Sequence, residues 1–556
     1  METPPPQPKF DERRAVLRTA GPLCLVVGGS GIAPLPCAFS LAGIPAGIVV
    51  VILVALINDY TSIMLVQAAV ATRKYGYEEV MAAVGGRVAQ NGARAALVVL
   101  LFGTMCGSLS VILETGLRAS EAAGWTAIHD TDVGRLALLA GLTWLVLFPL
   151  SLAGLGEMDV VSIFGAVMVV ILSGYTVYVA AASGHGISPS EIELKWSTLP
   201  ESLSELGFAF WLQARSEFGA IRRNYSAQFC AILRRPPPSP PQPCVLPLLR
   251  ELPEGEVGER VMTKALHLTF SLTTLVYATI GLAGYIAFGD ATPPNILGGF
   301  KGAVGGVLAF VFCAYICLCF APTVPPLRET LLRLLCATAP PPTPAADAAA
   351  TAAVSPGTPQ NGSVQQASPC PPSLAGTSER RKARLQHVVL TAAIIGLVFL
   401  VVALLPGASA TLFAFTGASG VCFVSFIFPV LAFVWLPRPS LFAPSVDVSP
   451  ALDATSPPLE PQASPDEPYY RYSPPLSTRL LEAVGSHTPA DFNPVSPPRR
   501  PRSAVGRAAA ACVWYVGPCL ILLFGFALTV LGLLDAVKSV AEGEAVCVHH
   551  HNHSHS

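Results

Sequence analysis

The sequence predicts an all-α integral membrane protein of about eleven transmembrane helices. Three observations carry that prediction. The 556 residues are 52% hydrophobic and 12% charged, with a mean hydropathy of +0.56, whereas a soluble domain carries about 25% charge. Apolar runs of roughly 20 residues, enough to cross a bilayer as a helix, recur along the chain. Finally, 28 of the 34 Lys and Arg residues fall in alternate segments between those runs, the asymmetry that orients helices in a membrane. The net charge of −1, with basic residues spread over many loops, offers no strip for nucleic acid.

Residues 1–20 are a polar, proline-rich tail, expected to be cytosolic. They show no cleavable signal pattern, and the first apolar run leads directly into further spans. Spans are predicted near 21–42, 46–70, 94–117, 133–153, 158–182, 203–222, 262–288, 303–326, 385–405, 409–436 and 511–535. The short basic segment with Arg73, Lys74, Arg87 and Arg94 reads as cytosolic. Segment 183–202, with Glu191 and Glu193, reads as outer. The ten-span core is thus 21–436, interrupted by loops 234–257 and 337–384. These loops and the linker 437–510 are rich in Pro, Ser and Ala and are expected to be disordered cytosolic segments. The eleventh span at 511–535 leads to an outer or luminal tail, 536–556, containing His549–His551. Most of the fourteen cysteines lie within spans and read as small buried hydrophobes rather than a disulfide framework.

The first span holds the most informative segment, Gly28-Gly29-Ser30-Gly31-Ile32, followed by Pro34 and Pro36. A helix in lipid has no water to satisfy freed backbone groups, so a break there marks a site buried in protein. Glycine alone would equally permit close helix packing.

Gly29-Ser30-Gly31-Ile32-Ala33-Pro34-Leu35-Pro36-Cys37-Ala38-Phe39 resembles the first-helix signature of the amino acid/auxin permease family. Gly284-Tyr285-Ile286-Ala287-Phe288-Gly289-Asp290 with Asn295-Ile296-Leu297 is similar to its seventh-helix motif. Phe415-Thr416-Gly417-Ala418-Ser419-Gly420 with Phe426-Ile427-Phe428-Pro429 is similar to its tenth. Gly207-Phe208-Ala209-Phe210 fits the opening of the sixth. The order and spacing hold across 16–436, and the branch most resembled is that of the sodium-coupled neutral amino acid transporters. The resemblance implies a five-plus-five inverted repeat with broken first and sixth helices and one peripheral helix. It also implies a secondary active transporter of amino acids, neutral ones being expected, in the plasma membrane or a vacuolar or lysosomal membrane. It implies no cofactor and no enzymatic activity. A second reading is an amino-acid sensor signalling through the long cytosolic loops.

On this reading the substrate carboxylate meets backbone N–H groups of Gly29, Ser30 and Gly31, together with the Ser30 hydroxyl, at the positive end of a half-helix. Carbonyls near Gly28 and around Phe210–Gln213 hold the ammonium, Phe210 and Trp211 shape the side-chain pocket, and Ile32 completes the motif. Gln213 stands where the family commonly has His. The branch places an Asn where this chain has Leu25 and a Thr or Ser where it has Cys319, so two oxygen ligands for Na⁺ are missing. The coupling cation is therefore H⁺ or Na⁺, with Asp59 and Glu217 as candidate carriers. A charge at bilayer depth is a functional candidate by default, although Asp59 equally reads as a satisfied packing polar. Glu114 and Arg118, four apart on one helix, are expected to pair.

Overall fold

A computed structural model describes residues 11–27, 29–153, 158–184, 189–210, 245–253, 255–337, 377–436 and 516–542. The chain divides into two units, 1–436 with 517–556, and 437–516. Apart from Val516, the second unit lies outside the described residues. The described residues contain helices and no strands, and nine of their helices are long and apolar enough to cross a membrane.

The first predicted span is two helices. α1 (Glu12–Val27) ends before the glycines, a 3-10 turn (Ser30–Ile32) follows, and α2 (Leu35–Ala42) then begins. Pro36 lies in the first turn of α2, where its missing N–H has no intrahelical partner to lose. The residues that end one helix therefore start the next. Gly43, at φ +83°, turns the chain into α3 (Ile44–Thr72), and a Cβ there would run into the Glu193 carbonyl.

α4 (Tyr77–Ala122) starts seventeen residues before the predicted third span at 94–117, taking in Arg87 of the short basic segment, and kinks at Gly86 (φ 65°, ψ −159°). Arg94 is held within it by Glu78 at 2.8 Å. Next come α5 (Asp132–Leu152), α6 (Met158–Ser183) and α7 (Leu199–Ala209). They are followed by α8 (Glu256–Phe288), α9 (Gly302–Phe320), α10 (Val324–Ala337), α11 (Thr377–Leu404), α12 (Ser409–Trp435) and α13 (Gly517–Glu542). α7 covers the start of the sixth predicted span, and the remainder lies outside the described residues. Two parts of the loops expected to be disordered are helical. Val245–Leu249 buries Val245 and Leu246 completely, and α11 begins at Thr377.

Burial separates the centre of the bundle from its rim. The apolar window of α4 is 78% buried and that of α12 72%, against 17% for α5 and 28% for α11 and α13. Lipid supplies no hydrophobic drive between helices, so close contact rests on small residues. Gly103 and Gly107 of α4 face Thr416 and Phe413, and a Cβ on Gly420 would stand 2.6 Å from Leu100 Cα. The middle of α12, Gly417–Ile427, is π-helical. Fully buried Tyr77 donates its hydroxyl to Val424 O in this stretch at 2.8 Å. Among the cysteines, Cys37 departs from the expectation, since it is disulfide-bonded.

Candidate functional site

The break in the first helix meets the end of α7. A Cβ on Gly31 would lie 3.1 Å from Ala209 Cα and 3.5 Å from the Phe208 ring, so glycine sets how closely the two segments approach. Within the turn, Ile32 N–H donates to Gly29 O at 3.3 Å and Ala33 N–H to Ser30 O at 3.2 Å. The first N–H groups of a helical segment have no acceptor inside it, so those of Ser30 and Gly31 point out of the turn. The Ser30 hydroxyl shares a hydrogen bond with Ser108 of α4 at 2.9 Å. Ser108 carried no sequence signal beyond being a small polar residue in an apolar helix.

α7 stops at Ala209 with Phe210 as its cap (φ −82°, ψ 6°). The freed Ala209 carbonyl accepts the Tyr277 hydroxyl of α8 at 2.9 Å. Phe210 is fully buried, edge-on to Tyr277 at 4.9 Å and near Phe270 at 6.5 Å. Phe208 stacks on Phe413 of α12 at 4.4 Å. The structure therefore brings Gly29, Ser30, Gly31 and Ile32 together with the α7 end that carries Phe210, while the Phe210 ring itself packs on α8. Gly28, Trp211, Gln213 and Glu217 lie outside the described residues.

The family model of the transmembrane amino acid transporter protein matches residues 14–215 and 242–441. The chain belongs to this family. It is a multi-pass membrane transporter, not an enzyme. No match was found among curated protein sequences. Among solved structures, the transporter is similar to variants of the manganese transporter of Eremococcus coleocola. One is 10% identical with a TM-score of 0.38, and another 9% identical with a TM-score of 0.38. Each match covers 97% of this chain and 98% of the other.

Asp59 lies on α3 of the transporter, away from the break. Its Oδ2 sits 2.5 Å from Nδ1 of His267 on α8. Its Oδ1 is buried and finds no partner among the described residues. The histidine was missed by sequence reasoning because the pair is 208 residues apart and only tertiary packing joins them. The expected Glu114–Arg118 pair does not form. Glu114 turns to α12, where its Oε2 accepts the Ser409 hydroxyl at 2.9 Å and its Oε1 accepts the Ser409 N–H at 3.3 Å. Arg118 donates through Nε to Phe300 O at 3.0 Å and pairs with Glu121. Each residue reaches a partner that fixes another element, which a pair within one helix would not do.

Outside the spans, Glu12 opens α1 and meets Lys264 of α8 at 2.7 Å. The hydrogen bond from Lys264, with its charge and that of Arg260, holds the Glu12 carboxyl below its ordinary range against a smaller opposing effect of desolvation.

Proposed function

We propose that this transporter is a secondary active carrier of neutral amino acids, working by alternating access and coupled to protons. The observation that supports it best is the approach of the Ser30–Ile32 turn to the end of α7 at Gly31 and Ala209. On this reading the outward-pointing N–H groups of Ser30 and Gly31 take the substrate carboxylate. Gly29 and Gly31 leave room for it, and Gly28, Phe210, Trp211 and Gln213 complete the cradle. The side chains meeting at this junction, Ser30, Ser108 and Phe208, are uncharged, which suits a substrate with a neutral side chain.

Two features favour protons. Leu25 and Cys319 provide no hard oxygen for Na⁺. Asp59, largely buried on α3, forms a carboxylate–imidazole pair with the exposed His267 of α8, and such pairs on membrane-spanning helices suit proton relays.

The test is uptake by reconstituted protein across a panel of labelled amino acids, with Na⁺ and proton gradients imposed separately. Saturable uptake of neutral amino acids, unchanged when choline replaces Na⁺ and abolished when the proton gradient is collapsed, is expected. A strict Na⁺ requirement would overturn the proton assignment. Gly31→Val forces a branched side chain against Ala209 and should abolish uptake while the protein still reaches the membrane. Unchanged uptake would remove the break from the site.

A further inference from the structure

α2 is joined to α7 and to the residues leading into it by side-chain donors that reach carbonyls of α2. Ser202 Oγ donates to Ala38 O at 2.7 Å, Thr198 Oγ1 to Leu41 O at 2.6 Å and Lys195 Nζ to Ser40 O at 2.9 Å. Within this joint lies Glu205, 1% exposed, one turn before α7 ends. Its Oε2 has no hydrogen-bond partner among the described residues. Its Oε1 is 3.8 Å from Cys37 Sγ, and since Cys37 is disulfide-bonded that sulfur has no proton to donate.

Among the described residues, the surrounding elements bring no compensating charge to it. α2 and α12 carry no Asp, Glu, Lys, Arg or His. On α3, Asp59 is engaged by His267, and Tyr60 is uncharged. On α13, Lys538 acts on Asp535. The charge that bears on Glu205 is Glu201, a like charge one turn back on α7.

A carboxylate buried without a donor or counter-ion is so costly that such a group neutralises instead. We propose that Glu205 is a proton-binding site whose occupancy follows the α2–α7 joint. With the joint closed, Glu205 is a carboxylic acid. When the joint parts and water enters, Oε2 gives its proton to water and the carboxylate is solvated. Closing the joint again requires a proton from whichever side water came. The joint is suited to this because it is held by hydrogen bonds to carbonyls and, at its edge, by the part-exposed Lys195–Asp290 pair at 3.2 Å, a weak kind of tie. Glu205 thereby adds a second protonation site to the Asp59–His267 pair, one that reports conformation directly. Its role in coupling rests on the transport reading above, whereas its protonation in the closed joint does not.

Two measurements test it. The first is the infrared spectrum of the purified protein at neutral pH, wild type minus Glu205→Gln. The carbonyl-stretch band of a protonated carboxylic acid is expected in the difference, and its absence would overturn the proposal whatever the protein carries. The second is reconstitution with labelled alanine. Glu205→Gln is expected to keep alanine counterflow at symmetric pH and to lose accumulation driven by a pH gradient, while Glu205→Asp retains accumulation with a displaced pH profile. Gradient-driven accumulation by Glu205→Gln equal to wild type would overturn the coupling role. Absence of any alanine flux in the wild type, with the infrared band present, would count against the transport reading and leave the proton site standing.

Discussion

Glu114 and Glu205 are acids in two joints of the same bundle, and their surroundings are opposite. Glu114 leaves α4 to meet the first residue of α12, where both carboxylate oxygens accept hydrogen bonds from Ser409 and Ser110 adds another at 3.4 Å. It also sits at the positive end of the α12 dipole. Glu205 leaves α7 to meet α2, where its Oε2 receives no hydrogen bond from the described residues and its Oε1 meets only the disulfide sulfur of Cys37 at 3.8 Å. An acid supplied with donors from a helix start is a fastener. An acid left without them is a place where protonation changes what the neighbours can do.

The largest effect that separates the two is on stability. Glu114→Ala should destabilise the protein by about 2–3 kcal/mol, the scale of hydrogen bonds to a charged group, read as a fall in Tm in detergent. An unchanged Tm would erase the contrast. Glu205→Gln, by the same measurement, should leave Tm unchanged or raise it, because Gln is a neutral group of the same shape as the protonated acid and removes the cost of burying an ionisable one. Asp59 lies between them, with one oxygen engaged and one not, so Asp59→Asn should fall between the other two variants in Tm. Ser30→Ala loses one buried hydroxyl contact to Ser108 and should cost about 1 kcal/mol or less, as interhelical hydrogen bonds in membranes do. Its uptake defect should therefore exceed its stability defect. Smallest of all is the Glu12–Lys264 tie at the exposed start of α1. The Glu12 carboxyl is held below its ordinary value, so its contribution is present above the ordinary carboxylate range and is lost as pH falls through the lowered value. Glu12→Gln should lower stability slightly at neutral pH, make little difference at low pH, and so flatten that acid limb of the stability profile.

The sequence made the spans and the broken first helix readable for a physical reason. Hydropathy records what lipid demands of a segment, and Gly29–Gly31 with Pro34 and Pro36 records where a helix cannot continue. It did not disclose the partners. His267 is far from Asp59 in the chain, and Ser108 is one small hydroxyl among apolar neighbours. Glu205 looks like any acid at the entrance to a span until its missing donors are visible. The Glu114–Arg118 expectation failed for the same reason, because spacing along one helix says nothing of Ser409 or Phe300 O waiting on other elements. The helix at 77–93 was hidden because counting Arg87 and Arg94 assigns a side of the membrane and leaves conformation open.

The π-helical stretch of α12 works as a phase shifter. A helix turns about 100° per residue, so the wide turns between Gly417 and Ile427 set the angle at which Phe428–Trp435 leaves the centre of the bundle. Trp435 lands on Gly85, 2.5 Å from where a Cβ would be, and Phe428 on Gly92 at 3.3 Å, both on the kinked early part of α4. Removing one residue from Gly417–Ile427 would rotate both aromatic rings off those glycines while leaving the composition of α12 almost unchanged. The stretch carries timing in its residue count, with Tyr77 as the latch that keeps the count from relaxing.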